Sequence, residues 1–225
     1  MTIQTTTLLE LPDTMVARQC LELAMLEESP AIVNHCIRSF LFARLFAENI
    51  QAMPGSDYDP EILFLACVLH DLGLGVSADS YLRFEVDGAN RAAKFLTELR
   101  VPADHVDAVW EAIALHTSAH IAEQRNTLCY LTRSGINLDF GPPAGFPFGP
   151  SSEFITDEQG AAIHEAYPRY SMVTALTNTV IEQVEVRPAK APPFSPAAVM
   201  TSERQQSPDH LSWMERAGSA GRWGN

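Results

Sequence analysis

Ile62-Leu63-Phe64-Leu65-Ala66-Cys67-Val68-Leu69-His70-Asp71 carries an imidazole and a carboxylate at the end of an apolar octet. Pro60 suits the first turn of a helix, and Gly73 and Gly75 follow the pair, so the stretch reads as a buried helix ending near Asp71. Buried ionisable groups are costly unless paired or bound to metal. A divalent cation would compensate both at once. Two further residues can complete such a site: His35, within Asn34-His35-Cys36, and Asp139, within Gly135-Ile136-Asn137-Leu138-Asp139. The ordered set is H…HD…D.

Around this helix the chain reads as more helices and no strands. Asp13 is expected to cap a first helix running to about Glu28, with Val16, Cys20, Leu23 and Leu26 near helical spacing. Pro30 opens a second, about 31–51, which Met53-Pro54-Gly55-Ser56-Asp57 ends. Residues 74–85 are expected to form a loop or short helix, and Asp87 to cap a helix through Leu99. The turn at Asp104 starts another, with Val106, Val109, Ile113 and His116 near one face. A helix over about 121–134 is expected to close at Gly135. The Pro- and Gly-dense stretch 140–150 reads as a surface loop, a candidate lid. Helical patterns return at about 157–166 and 169–185. Beyond Arg187 five prolines interrupt the pattern, so 188–225 is expected to be an extended tail or arm. Its Trp213 and Trp223 suggest docking on its own or a neighbouring subunit, which makes a homo-oligomer an expectation. The fold class is all-α, with a helical domain over 1–187.

Composition narrows the partners. The 225 residues include 28 acidic and 15 basic side chains, a formal charge of −13, and only two of the basic residues are lysines, Lys94 and Lys190. With no basic stripe, this surface repels phosphate backbones, and no nucleic-acid partner is expected. The four cysteines show no C-x-x-C spacing and read as free thiols of a reducing compartment. The first residues lack the basic-then-apolar pattern of a signal peptide, and no apolar run approaches the roughly 20 residues of a membrane span. A cytoplasmic protein without membrane contact is expected.

Two imidazoles and two carboxylates suit Zn(II), Fe(II), Mn(II) or Co(II), and the spacing does not choose among them. Neighbours in a regular helix diverge by about 100°, so His70 and Asp71 can meet one ion only where the helix ends. Isolated histidines in apolar helices are more often packed residues than ligands. Nucleophilic catalysis finds little support, since G-x-S-x-G, P-loop and dinucleotide patterns are absent.

The stretches Asn34-His35-Cys36-Ile37-Arg38-Ser39-Phe40 and Leu69-His70-Asp71-Leu72-Gly73, with the later Asp139, resemble the signature of the HD-domain metalloproteins. Arg83-Phe84-Glu85-Val86-Asp87-Gly88-Ala89, Ala112-Ile113-Ala114-Leu115-His116-Thr117-Ser118 and Tyr167-Pro168-Arg169 extend the resemblance to the cyanamide hydratase-like branch, over about residues 13 to 190. The resemblance implies an HD-domain helical bundle around one buried metal, most simply Zn(II), held by His35, His70, Asp71 and Asp139. Residue 36 departs from it, being Cys where the family's usual string is Asn-His-Ser.

Other candidates follow from context. His116 reads as a proton carrier beside the site, against the plainer reading of a helix-end histidine. Asp87 is a helix cap or a second catalytic carboxylate. Arg38, near the face of His35, pairs with a site carboxylate or binds substrate, and Thr117 and Phe84 join it as candidate substrate-binding residues. His105, His164 and His210 read as surface residues. The resemblance implies the activity of a metal-dependent hydro-lyase adding water to a small nitrile-type substrate, cyanamide to urea or a related reaction, through hydroxide generated at the metal. The alternative is an HD-type phosphohydrolase acting on a nucleotide or other phosphomonoester. Leu72-Gly73-Leu74-Gly75 weakens it, because many such enzymes place a glutamate shortly after the His-Asp pair. A module retaining metal only for structure is the third reading.

Overall fold

The computed structural model describes residues 8–145, 147, 149–206 and 211–224, and among these it holds eleven α-helices and no strand. They are α1 Met15–Glu27, α2 Pro30–Asn49, α3 Pro60–Leu69, α4 Phe84–Glu98, α5 Ala103–Leu115 and α6 Ala122–Arg125. The remainder are α7 Thr127–Asp139, α8 Asp157–Ala166, α9 Met172–Val186, α10 Pro196–Gln206 and α11 Trp213–Ala220. The all-α expectation holds. None of these helices is long and apolar enough to cross a membrane.

α2 is the axis of the bundle. It is buried on nearly every face from Ala31 to Ala47, the pattern of a helix surrounded by others rather than lying on a surface. α7 packs against it most extensively, with α3 and α9 on other sides. Phe40 and Phe64 meet edge to face, ring centroids 5.1 Å apart, at the α2–α3 contact. Gly135 explains how close α7 comes. A Cβ there would stand 2.1 Å from the Ser39 carbonyl oxygen and 2.7 Å from Ala43 Cβ. The expected stop at Gly135 is therefore corrected: the glycine lies inside α7 because it permits the crossing, and the helix runs on to Asp139.

Two other ends move for local reasons. Thr14, not Asp13, caps α1 by accepting from Ala17 N at 3.0 Å, while Asp13 pairs with Arg18 at 2.7 Å. α4 starts at Phe84, so Asp87 is not its cap; Glu85 and Asp87 both fall in its first turn, where carboxylates favour the helix dipole.

The segment after Arg187 differs most from the reading of an extended arm. It contains α10 and α11 and packs on α9. Val180, Val184, Ala197 and Met200 form a second apolar cluster with Leu74 and Phe84, which covers the turn after the His-Asp pair. Trp223 docks on its own chain. Its Nε1 donates to the Leu138 carbonyl at 2.8 Å, and its ring stacks on Phe42. In the Pro- and Gly-dense loop, Phe146 and Phe148 lie outside the described residues, as does His210. All four cysteines are buried and free.

Candidate metal centre

α3 ends at Leu69, and Asp71 has left helical geometry at φ −98°, ψ 9° before a 3₁₀ turn over Leu72–Leu74. The break lets adjacent His70 and Asp71 face one point. His35, in the second turn of α2, faces them. Ligand atoms of His35, His70 and Asp71 lie within 4.8 Å of one another. His116, at the C-terminal end of α5, lies alongside, its ring centroid 5.0 Å from that of His70 and its Nε2 4.0 Å from Asp71 Oδ1. Exposure of His35, His70 and Asp71 is 1% each, and that of His116 is 4%.

Hydrogen bonds fix which nitrogen of each ring faces the centre. His70 Nδ1 donates to the Cys67 carbonyl at 2.8 Å and His116 Nδ1 to the Ile113 carbonyl at 2.7 Å. His35 Nδ1 lies 2.7 Å from Asp139 Oδ2, and an ionised carboxylate can only accept. Each Nδ1 therefore carries a proton, and a neutral ring keeps its lone pair on Nε2, as metal-ligating histidines do.

The carboxylates carry charge for different reasons. Burial alone would raise Asp71, but the charge of His70, with His35 and His116 nearby, holds it below the ordinary carboxylate range. Its Oδ2 is buried with no hydrogen-bond partner, only an ion-pair contact of 3.2 Å to His70 Nε2. An orphaned anionic oxygen beside two Nε2 lone pairs fits a divalent cation. For His70, the opposing charge of Asp71 outweighs burial and raises the imidazole. Burial wins at His35 and lowers it. At His116, burial and the neighbouring His70 push the pKa down to about 4.

Asp139 takes another position from the one expected. Arg38 grips it with two parallel bonds, Nε to Oδ1 at 2.7 Å and Nη2 to Oδ2 at 2.8 Å. Arg169 Nη1 donates to its backbone carbonyl at 2.6 Å and approaches Oδ1 at 3.2 Å. Burial opposes ionisation, yet the Arg38 charge holds the carboxyl well below its usual range. Both oxygens are engaged, and Asp139 meets the group through the back of His35 rather than as a fourth converging atom. The structure thus divides the four expected ligands into three gathered residues, His35, His70 and Asp71, and Asp139 held behind His35. Of the two readings of Arg38, the structure shows the pair with a site carboxylate: wholly buried, it grips Asp139 and turns Nη1 to the Tyr167 and Pro168 carbonyls.

The other candidates divide. Phe84 packs its ring 5.6 Å from that of His116 and forms a wall of the centre. Thr117 Oγ1 donates to Glu85 Oε1 at 2.6 Å, so its proton is already used. Asp87 points elsewhere, to the Lys190 ammonium at 2.9 Å. That ion pair removes it from the reacting group. Glu85, unassigned from sequence, is wholly buried; burial opposes its charge, but the Arg83 fork and Thr117 keep it ionised and lowered. Its only signal was its place in the Arg83-Phe84-Glu85 string. His164 is corrected from a surface residue to a half-buried one, 3.7 Å from Asp139 Oδ1 and packed on Trp223. No periodicity could show that, because Trp223 comes from the far end of the chain.

Comparison with known proteins agrees with this geometry. The HD domain matches residues 32–143, a span that opens just before His35 and closes just after Asp139. Two curated relatives, cyanamide hydratase DDI2 and cyanamide hydratase DDI3 of Saccharomyces cerevisiae, are each 25% identical over 175 residues, 75% of this chain and 72% of the relative. HD domains bind divalent metals, and the ligand atoms of His35, His70 and Asp71 lie close enough together to hold one here. The chain belongs to the HD-domain family.

Proposed function

We propose that this protein is a metal-dependent hydratase that adds water to a small, uncharged nitrile-class molecule, cyanamide being the first candidate and urea its product. The observation that carries the reading is closure of the centre. Its four side chains are almost entirely buried, and nearby arginines are engaged by the chain itself: Arg38 by Asp139, Arg83 by Glu85, and Arg133 by Glu123 and the His116 carbonyl. A phosphomonoester needs room and donors to clamp its oxygens. A short, neutral nitrile needs neither. The similarity to the two yeast cyanamide hydratases points the same way.

His35, His70 and Asp71 would hold the ion, zinc first among Zn(II), Fe(II), Mn(II) and Co(II). Bound there, it would acidify coordinated water toward neutrality and act as a Lewis acid. Addition forms a C–O bond at the nitrile carbon as one C–N π bond breaks and nitrogen gains a proton. Tautomerisation of the resulting isourea then moves a second proton from oxygen to nitrogen and exchanges the remaining C–N π bond for the C=O of urea. His116 is placed for that transfer. With Nδ1–H tied to Ile113 and a pKa of about 4, its Nε2 is unprotonated at neutral pH and can take a proton from oxygen and return it to nitrogen. Phe84 bounds the space in which this happens. The acidic surface accords with a cytoplasmic enzyme whose partner is a neutral small molecule and not nucleic acid.

Metal analysis of the purified chain, then assays on cyanamide, small nitriles and a nucleoside monophosphate panel, test the proposal. Urea from cyanamide is expected, lost in folded His70→Ala and strongly reduced in His116→Gln. Phosphate release from nucleotides without action on cyanamide would establish the phosphohydrolase alternative. A chain with no affinity for divalent metal would remove both.

A further inference from the structure

Lys190 is 1% exposed, although it lies beyond the segment that matches the HD domain. Its ammonium has three donors, and three elements supply the acceptors. Asp87 Oδ2 on α4 lies at 2.9 Å, Gln183 Oε1 on α9 at 2.8 Å, and the Gly73 carbonyl at 3.3 Å. Gly73 stands two residues after Asp71. Its Cα presses on α4 so closely that a Cβ would lie 2.0 Å from the Phe84 carbonyl oxygen. Asp87 lies on the same first turn of α4 as Phe84, the ring against His116. One buried cation thus joins the turn leaving the His-Asp pair, the helix walling the centre and the C-terminal arm.

We propose that Lys190 is a positioning residue, a clasp through which residues 188–206 hold the His70-Asp71 turn and the start of α4 in the register that forms the centre. Stability alone does not account for it, since a buried ion pair can often be replaced by apolar groups at no loss. What apolar groups cannot supply is a donor to the Gly73 carbonyl. The C-terminal arm is then part of the site. This rests on the metal-centre reading above only for its consequence in metal binding; the clasp itself is measurable without metal.

The test uses the full chain and the double variant Lys190→Met with Asp87→Asn, which removes both charges together. In chelator-treated protein, amide hydrogen exchange in residues 70–76 and 84–88 should accelerate at least about tenfold, with α2 and α7 unchanged. Co(II) affinity should then fall about 10- to 100-fold, the range for residues that orient ligands, and the visible Co(II) bands should shift. Unchanged exchange at 70–76 overturns the clasp, as does a uniform rise along the chain, which would mark plain loss of stability. If the double variant does not fold, the native chain decides. Coupling is reciprocal, so Co(II) should slow exchange in 188–206 as well as in 70–76, and protection confined to the latter refutes the inference. A native chain that binds no Co(II) fails the metal reading, while its metal-free exchange still decides the clasp.

Discussion

Replacing Arg38 by Leu should cost folding stability and not substrate affinity. The guanidinium is wholly buried and makes two bonds to Asp139 and two to the carbonyls of Tyr167 and Pro168. Removing it leaves an anionic carboxylate in the interior with Arg169 as its remaining cationic neighbour. Breaking a buried pair from one side costs about 3–5 kcal/mol. For a chain of this size each kcal/mol is worth about 2–4 °C, so the melting temperature should fall by about 6–20 °C. Arg38→Lys should lie between, because an ammonium keeps the charge but cannot reproduce two parallel donors. The assay is urea and thermal unfolding of chelator-treated protein, so that metal does not stabilise the native state by mass action. A second expectation separates this from general disruption: in the presence of Asp139→Asn, Arg38→Leu should cost markedly less, since no charge is left uncompensated. An Arg38→Leu protein within about 1 kcal/mol of native stability, but with a raised KM, would refute the reasoning and restore Arg38 as a substrate residue.

Three further outcomes follow from the same contacts. Asp139→Asn should weaken Co(II) or Zn(II) affinity about 10- to 100-fold, measured by competition with a chromophoric chelator, as expected for a carboxylate that orients a ligand; complete loss of binding, as in His70→Ala, would make it a direct ligand. Glu28 is buried near Asp71, and burial followed by that charge raises its carboxyl well above the ordinary range. Folded protein therefore keeps a proton that unfolded protein releases above about pH 4.3, and stability falls as pH rises from there toward the raised folded value; melting of metal-free Glu28→Gln against the native chain from pH 5 to 8 should show an advantage for the variant that grows with pH. Gly135→Ala should destabilise by about 1–3 kcal/mol, since the clash with the Ser39 carbonyl outweighs the roughly 1 kcal/mol that alanine gains in a helix; higher stability in denaturant titration would contradict the close α2–α7 crossing.

What could be read from the chain was whatever sits within one helix or at its end. The apolar octet before His70 and the prolines at 30 and 60 are local signals, and α2 and α3 follow them closely. His35, His70 and Asp71 were legible because burial of ionisable groups requires compensation wherever it occurs. Misreadings came where a distant partner decides. Gly135 reads as a stop until Ser39 is known to lie against it. Asp87 reads as a cap or a catalyst until Lys190, 103 residues later, is seen to hold it. Arg38 reads as a partner of a site carboxylate or as a substrate arginine until Asp139, 101 residues later, is seen to take it. The arm reads as irregular because prolines dominate its start, whereas Ser212 and Glu215 close a capping box at α11 that periodicity alone passes over.

The three imidazoles show why some of these partners exist at all. His70 and His116 each follow the last residue of a helix and turn Nδ1 back to the carbonyl three residues earlier. The last carbonyls of a helix have acceptor capacity to spare, and one bond to it fixes the tautomer; the Ile113 carbonyl accepts from the His116 backbone N–H as well, at 3.3 Å. His35 takes another course. It stands inside α2, and its Nδ1 donates not to its own helix but to Asp139 at the end of α7. A carboxylate buried there needs a cation, and Arg38, three residues after His35 on the same helix, reaches it. The His35-Arg38 spacing and the distant Asp139 therefore form one device, which orients His35 from outside its own helix. The two helix-end histidines are oriented by backbone alone.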